Sequence, residues 1–251
     1  GDPILTVKEN TIDHNWGSGE VAGGLKDSVS ARWTADLEAP LTEAVELITT
    51  TDDGVRLWIN GRRIINVWAA HSSADEVAKV DLVAGQFYRI EMEWFENSGN
   101  AVAQLSWRSP SIARQIIPAG ILQLPVHAVD PYPAQASADA PQTSILRWIA
   151  GESAAQHDVY FGADATAVAD ADPTTAGVYQ GRQDVGVTTF DPGELEWNKT
   201  YYWRVDELNS ADAASPWTGS VWSFTTADLL VVDHFETYPD EQGTHHHEAG
   251  R

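Results

Sequence analysis

Residues 49–65 read Thr49-Thr50-Thr51-Asp52-Asp53-Gly54-Val55-Arg56-Leu57-Trp58-Ile59-Asn60-Gly61-Arg62-Arg63-Ile64-Ile65. Two β-rich runs flank Asn60-Gly61. Asn-Gly is the strongest two-residue hairpin signal, because both turn positions need φ > 0. The segment therefore predicts a β-hairpin whose register is set by its turn. That register places Leu57 opposite Ile64 in a core and Trp58 opposite Arg63 on the other face, where a cation–π contact can form.

Working outward, the alternation continues. In residues 87–96, Tyr88, Ile90, Met92 and Trp94 take one face, while Arg89, Glu91, Glu93 and Phe95 take a mostly wet one. Asn97-Ser98-Gly99-Asn100 then turns the chain into Ala101–Trp107, where Ala101, Ala103, Leu105 and Trp107 alternate. Pro125, Pro131 and Pro133 mark a linker near Leu124–Pro133, since Pro cannot donate to a central ladder. Beyond it, Ser144–Ile149, Asp158–Phe161, Thr200–Val205 and Val221–Thr225 read as further strands. No stretch keeps a helical period. The expected class is all-β: an antiparallel β-barrel or sandwich over residues 1–124, then a smaller β-sandwich over 125–227. Residues 228–251 form a tail that reads as the start of a truncated third module and contains His245-His246-His247.

Composition narrows the function classes. The chain has 251 residues, no Cys and a formal net charge of −22. Absent Cys excludes a disulfide framework, a thiolate nucleophile and zinc–thiolate sites. The acidity argues against nucleic acid and an anionic membrane surface as partners, because both require a basic patch. No apolar run of about 18 residues and no signal-peptide pattern is present. The acid is uneven. Residues 1–124 hold 17 acidic and 10 basic side chains, against 14 and 4 in residues 125–226, so the excess belongs mainly to the second half.

The first part resembles the protective-antigen-type ("PA fourteen") sugar-binding β-domain. Ser30-Ala31-Arg32-Trp33-Thr34, Ala39-Pro40, the 49–61 segment, Ala84-Gly85-Gln86-Phe87-Tyr88, Glu96–Ala101 and Leu105-Ser106-Trp107 carry the likeness, in the family's order. The family opens with a further Gly-rich strand that is missing here. Its absence would leave an open β-edge, available for self-association. The second part resembles a fibronectin type III or immunoglobulin-like module, through Leu146, Trp148, Leu195, Tyr201, Trp203 and Val221–Thr226. The combination is similar to modular secreted bacterial proteins and implies an extracellular or cell-surface location.

The resemblance also implies a site. On its own, Asp52-Asp53-Gly54 serves equally well as turn chemistry. In sugar-binding members of the family, an Asp-cis-Asp pair holds Ca2+ and the ion holds two sugar hydroxyls. This implies Ca2+ on Asp52 and Asp53, completed by Asn97 or Asn100 from the following loop; Ca2+ takes six to eight oxygens. Trp68 and His71, in the loop after the hairpin, are candidates to line the sugar pocket, although Trp68 also fits a core position of the family. No catalytic set stands out: Asp52 and Asp53 are too close to flank a glycosidic bond. The expected function is thus a calcium-dependent carbohydrate-binding or adhesion module with a spacer, and not an enzyme. Two alternatives are a structural subunit of an extracellular fibre built by strand addition, and an accessory module of a polysaccharide hydrolase.

Overall fold

The computed structural model describes residues 3–228; the suspected third module and the triple His fall outside the described residues. Strands β1 (Asp13–Gly17), β2 (Val29–Glu38), β3 (Glu43–Asp52), β4 (Val55–Ile59), β5 (Arg62–Val67), β6 (Ala74–Leu82), β7 (Phe87–Glu96), β8 (Ala101–Arg108), β9 (Gln115–Ile116) and β10 (Leu122–Gln123) build the first unit. One sheet runs β1-β8-β3-β6, with β9 beside β8, and the other runs β10-β2-β7-β4-β5. Both strand orders are open, so the unit is a sandwich and not a closed barrel. Leu37, Leu47, Leu57, Met92, Trp94 and Leu105 fill the space between the sheets. Burying such side chains is the main stabilising term, about 1.5–3 kcal/mol for each large one.

The Asn60-Gly61 turn has the expected positive φ values of 48° and 72°. Its register differs by one residue on one side. Trp58 does pair with Arg63, but Leu57 pairs with Ile65, because a bulge falls between Leu57 and Trp58 and leaves Ile64 as the extra residue. The cation–π contact on this sheet is made by Arg56 over Trp68, at 4.1 Å, rather than by Arg63 over Trp58. A second correction concerns Arg89. It sits on the face expected to be wet, yet it is buried. At the outer edge of β2, β10 pairs only with Asp36 and Leu37.

The second unit contains β11 (Val129–Tyr132), β12 (Ser137–Ala140), β13 (Leu146–Ile149), β14 (Gln156–Gly162), helix α1 (Ala165–Asp170), β15 (Tyr179–Asp184), β16 (Thr189–Phe190), β17 (Thr200–Leu208) and β18 (Trp222–Thr226). Its sheets run β11-β13-β16 and β12-β18-β17-β14-β15. Only β12, against β18, pairs in parallel. Trp148, Trp203, Trp222, Phe224 and Leu195 form its core. Strand β17 alternates as the sequence suggests, but its second face is also covered. Arg204 donates to the carbonyls of Val168 and Ala171 at the end of α1 and pairs with Asp206 at 2.8 Å. This short helix, the one α-helix among the described residues, is capped by Asp164, whose side chain accepts from Ala167 N–H.

The linker expected near Leu124–Pro133 is packed. Val126, His127, Ala128 and Val129 are buried, and Pro131 is accommodated because β11 is an edge strand. The hydroxyl of Tyr201 accepts from Glu196 N–H at 3.0 Å, locking the turn before β17. Tyr201→Phe leaves that N–H without its partner. Urea unfolding is expected to show a loss of about 1–3 kcal/mol, with an unchanged fold by circular dichroism.

Candidate metal centre

The end of β3, the start of β4 and the end of β7 converge at one tip of the first sandwich. Gly54 makes this convergence possible. A Cβ there would lie 2.3 Å from the Phe95 ring and 2.9 Å from Val67 O. No larger residue fits without displacing β5 or β7. The Asp52–Asp53 peptide is cis.

Carboxylate oxygens of Asp52, Asp53 and Glu96 all lie within 4.8 Å of one another. Their hydrogen bonding is uneven. Asp53 accepts main-chain N–H groups of His71 (2.8 Å) and Asn97 (2.9 Å) through separate oxygens. Asp52 accepts Ser73 N–H at 3.2 Å. Glu96 is 1% exposed, and neither of its oxygens has a partner. A buried carboxylate without donors is costly unless a charge compensates it. No Lys or Arg forms an ion pair with these three acids among the described residues.

The electrostatics follow. Burial, then the charges of Asp53, Asp52 and Asp27, push the Glu96 carboxyl up to about 7. Burial and the Asp53 charge also raise Asp52, against the lowering effect of Ser73 N–H and His71. Both shifts record first burial and second the negative charge gathered at one point. An all-oxygen donor set of this kind suits a hard cation such as Ca2+ or Mg2+ and not a thiophilic metal. The orphaned Glu96 oxygens are the observation that makes the residues fit such an ion.

Asp52 and Asp53 are thus brought together as the sequence suggests, and Glu96 joins them unforeseen. The signal was available. Glu96 continues the core-facing series Tyr88, Ile90, Met92, Trp94, so the alternation itself places an acid at an inward position. Asn97 and Asn100 lie on the exposed loop after β7. Asn97 serves Asp53 through its main-chain N–H, while its carbonyl accepts from Ser28 N–H at 3.0 Å. Asp27 approaches from the β1–β2 connection and accepts Gly99 N–H at 3.3 Å.

Trp68 is 40% exposed, so it is not a core residue. Arg56 covers one part of its ring and Phe95 packs at 4.8 Å. Beyond its main-chain bond to Asp53, His71 is half-buried. Its Nδ1 faces Ser72 O at 2.8 Å, and its Nε2 is enclosed without a partner. The floor beneath is tied to the site by Trp94, whose indole N–H donates to Asp52 O at 3.0 Å.

Residues 1–120 match the PA14 domain model. Over 112 residues the chain is 38% identical to the anti-sigma-I factor RsgI3 of Acetivibrio thermocellus, which covers 44% of this chain and 17% of that protein. The chain therefore spans only about a sixth of that relative's length. A solved anti-sigma factor domain-containing protein from Clostridium clariflavum is similar over 80% of this chain and 63% of its own, with 24% identity and a TM-score of 0.45. A PA14 sugar-binding domain from an RTX adhesin is similar over 37% of this chain and 52% of its own, with 17% identity and a TM-score of 0.33. No helix among the described residues is long and apolar enough to cross a membrane.

A pH dependence follows for the chain in chelator. The Glu96 carboxyl is raised from 4.5 to about 7 on folding. A raised acid stabilises the folded state fully below the lower value, and that contribution is lost as pH climbs to the upper one. Urea midpoints of the wild type are expected to fall between pH 4.5 and 7 relative to Glu96→Gln. Parallel pH profiles for the two proteins would remove Glu96 as the titrating group.

Proposed function

We propose that the first sandwich binds carbohydrate through a Ca2+ ion held by Asp52, Asp53 and Glu96. The observation that carries this reading is the Glu96 carboxylate, buried between two other acids with both oxygens unpaired. The match of residues 1–120 to the PA14 domain supports it independently. When bound, Ca2+ supplies open coordination positions for a pair of vicinal sugar hydroxyls. The chain's own residues do the rest. Glu96 closes the inner side of the site, and main-chain N–H groups of His71, Ser73 and Asn97 orient the two aspartates. In this reading a loop oxygen of Asn97 or Asn100 joins the donors, and Trp68 and His71 border the sugar.

The second sandwich is read as a fibronectin-like spacer. A three-stranded sheet faces a larger one, and the Tyr201 hydroxyl bonds back to the turn before its strand, as in the tyrosine corner of such modules. The division 1–124, 125–227 and a tail from 228, with an extracellular or surface location, completes the proposal. The 38% identity with an anti-sigma-I factor favours a second reading of the same site, as the ligand-sensing part of a regulatory protein. Binding assays on this chain are the same for both readings; they differ in what lies outside it. The sparsely paired edge of β2 supports a different role in self-association, which sedimentation velocity tests: a concentration-independent monomer counts against it.

Calorimetric titration with Ca2+ tests the ion site. A single site with a dissociation constant of about 10−4 to 10−3 M is expected, the range of extracellular modules. Asp52→Asn/Asp53→Asn is expected to abolish the heat, and Glu96→Gln to weaken binding at least about tenfold, the loss of one charged ligand. Equal titrations for all three proteins would refute the site. Retention on immobilised neutral polysaccharide, lost in chelator, tests the sugar half of the proposal.

A further inference from the structure

The buried Arg89 lies at the opposite end of β7 from Glu96. They are seven residue steps apart, so they lie roughly 23 Å from each other at about 3.3 Å per residue. Arg89 pairs with Asp36, a fully buried carboxylate, through Nε at 2.6 Å. Its Nη2 donates to the carbonyls of Pro125 (3.3 Å) and His127 (3.1 Å). The second Asp36 oxygen accepts His127 N–H at 2.9 Å. The Phe87 and His127 rings stack at 3.7 Å, only 6° from parallel.

The segment linking the sandwiches is therefore sewn into the first one by a buried charge pair. It is equally fixed to the second. Pro125 O accepts Glu152 N–H at 2.8 Å. A Cβ on Gly151 would lie 2.1 Å from Val126 O, so backbone meets backbone there. Two further bonds cross directly: Gln86 Nε2 donates to Val221 O (3.1 Å) and Ser220 Oγ to Gly85 O (2.9 Å). Any hinge motion in residues 124–128 would strip donors from Asp36 and acceptors from Arg89 while both stay buried. Leaving one member of a buried pair unmatched is far costlier than losing a surface bridge.

We propose that the two sandwiches form one rigid unit, locked by Asp36, Arg89 and His127, with the second sandwich acting as a fixed stalk. The acidic centre then sits at the tip farthest from the stalk, in a constant orientation to it. The proposal extends the spacer reading but does not depend on Ca2+ or sugar, and it is tested without either.

Residual dipolar couplings of the full chain measure it directly. A single alignment tensor is expected to fit both sandwiches. Two different tensors, or distinct rotational correlation times, would overturn the proposal even if Ca2+ binding is found. Calorimetric unfolding gives a second readout: one transition is expected for the wild type. Arg89→Met is expected to split it into two, with separate tensors. Should that variant fail to fold, Gly151→Ala, which wedges the linker from Val126, and the pair Gln86→Ala/Ser220→Ala take its place. Unchanged single-tensor behaviour in every folded variant would show that these contacts are not the lock.

Discussion

Strand β7 carries ten residues whose side chains must alternate between two faces, and both ends of the first sandwich depend on that constraint. It pairs with β2 along its whole length on one side and, over Ile90 to Trp94, with β4 on the other. Its middle places Ile90, Met92 and Trp94 in the core. Its ends place charges where apolar side chains would otherwise go. Glu96 points inward at the tip with the two aspartates. Arg89, on the opposite parity, is enclosed where the second sandwich meets the first. The same period of two thus delivers an unpaired negative charge to one end and a fully paired positive charge to the other.

The two ends illustrate opposite uses of burial. At the junction, Asp36 and Arg89 are matched to each other and to the His127 N–H and the Pro125 and His127 carbonyls; such an arrangement holds two bodies in a set geometry. At the tip, three carboxylates share the donors of His71, Ser73 and Asn97, and none reaches Glu96. It is this incompleteness on which the proposed cation site rests. This contrast, more than the count of acidic residues, separates the candidate site from the rest of an acidic protein. Of the −22 charge, residues 1–124 carry only the smaller part, 17 acidic against 10 basic side chains.

The fold was largely legible because its signals are local. Asn60-Gly61 set the hairpin, and the alternation in residues 87–96 and 201–205 gave the core faces of β7 and β17. What failed was what depends on tertiary partners. The bulge that pairs Leu57 with Ile65 leaves no mark in the residues themselves. Arg89 read as solvated because its partners, Asp36 and the carbonyls of residues 125 and 127, come from distant segments. The prolines of 124–133 marked a linker, but composition does not reveal that Val126 to Val129 are buried. The site divided in the same way. Asp52 and Asp53 were visible as a pair, whereas Glu96 was hidden in plain alternation, and Asn97 contributes its main chain, which side-chain chemistry does not announce.

The account rests on one assignment, that the cluster of Asp52, Asp53 and Glu96 holds a calcium ion. The most direct measurement is anomalous scattering from crystals grown with CaCl2, collected at a wavelength where calcium contributes strongly. The account predicts an anomalous peak between the three carboxylates, with at least one Glu96 oxygen within about 2.3–2.6 Å of it. A map with no peak there at saturating Ca2+, and Glu96 oxygens bonded to water alone, would contradict it.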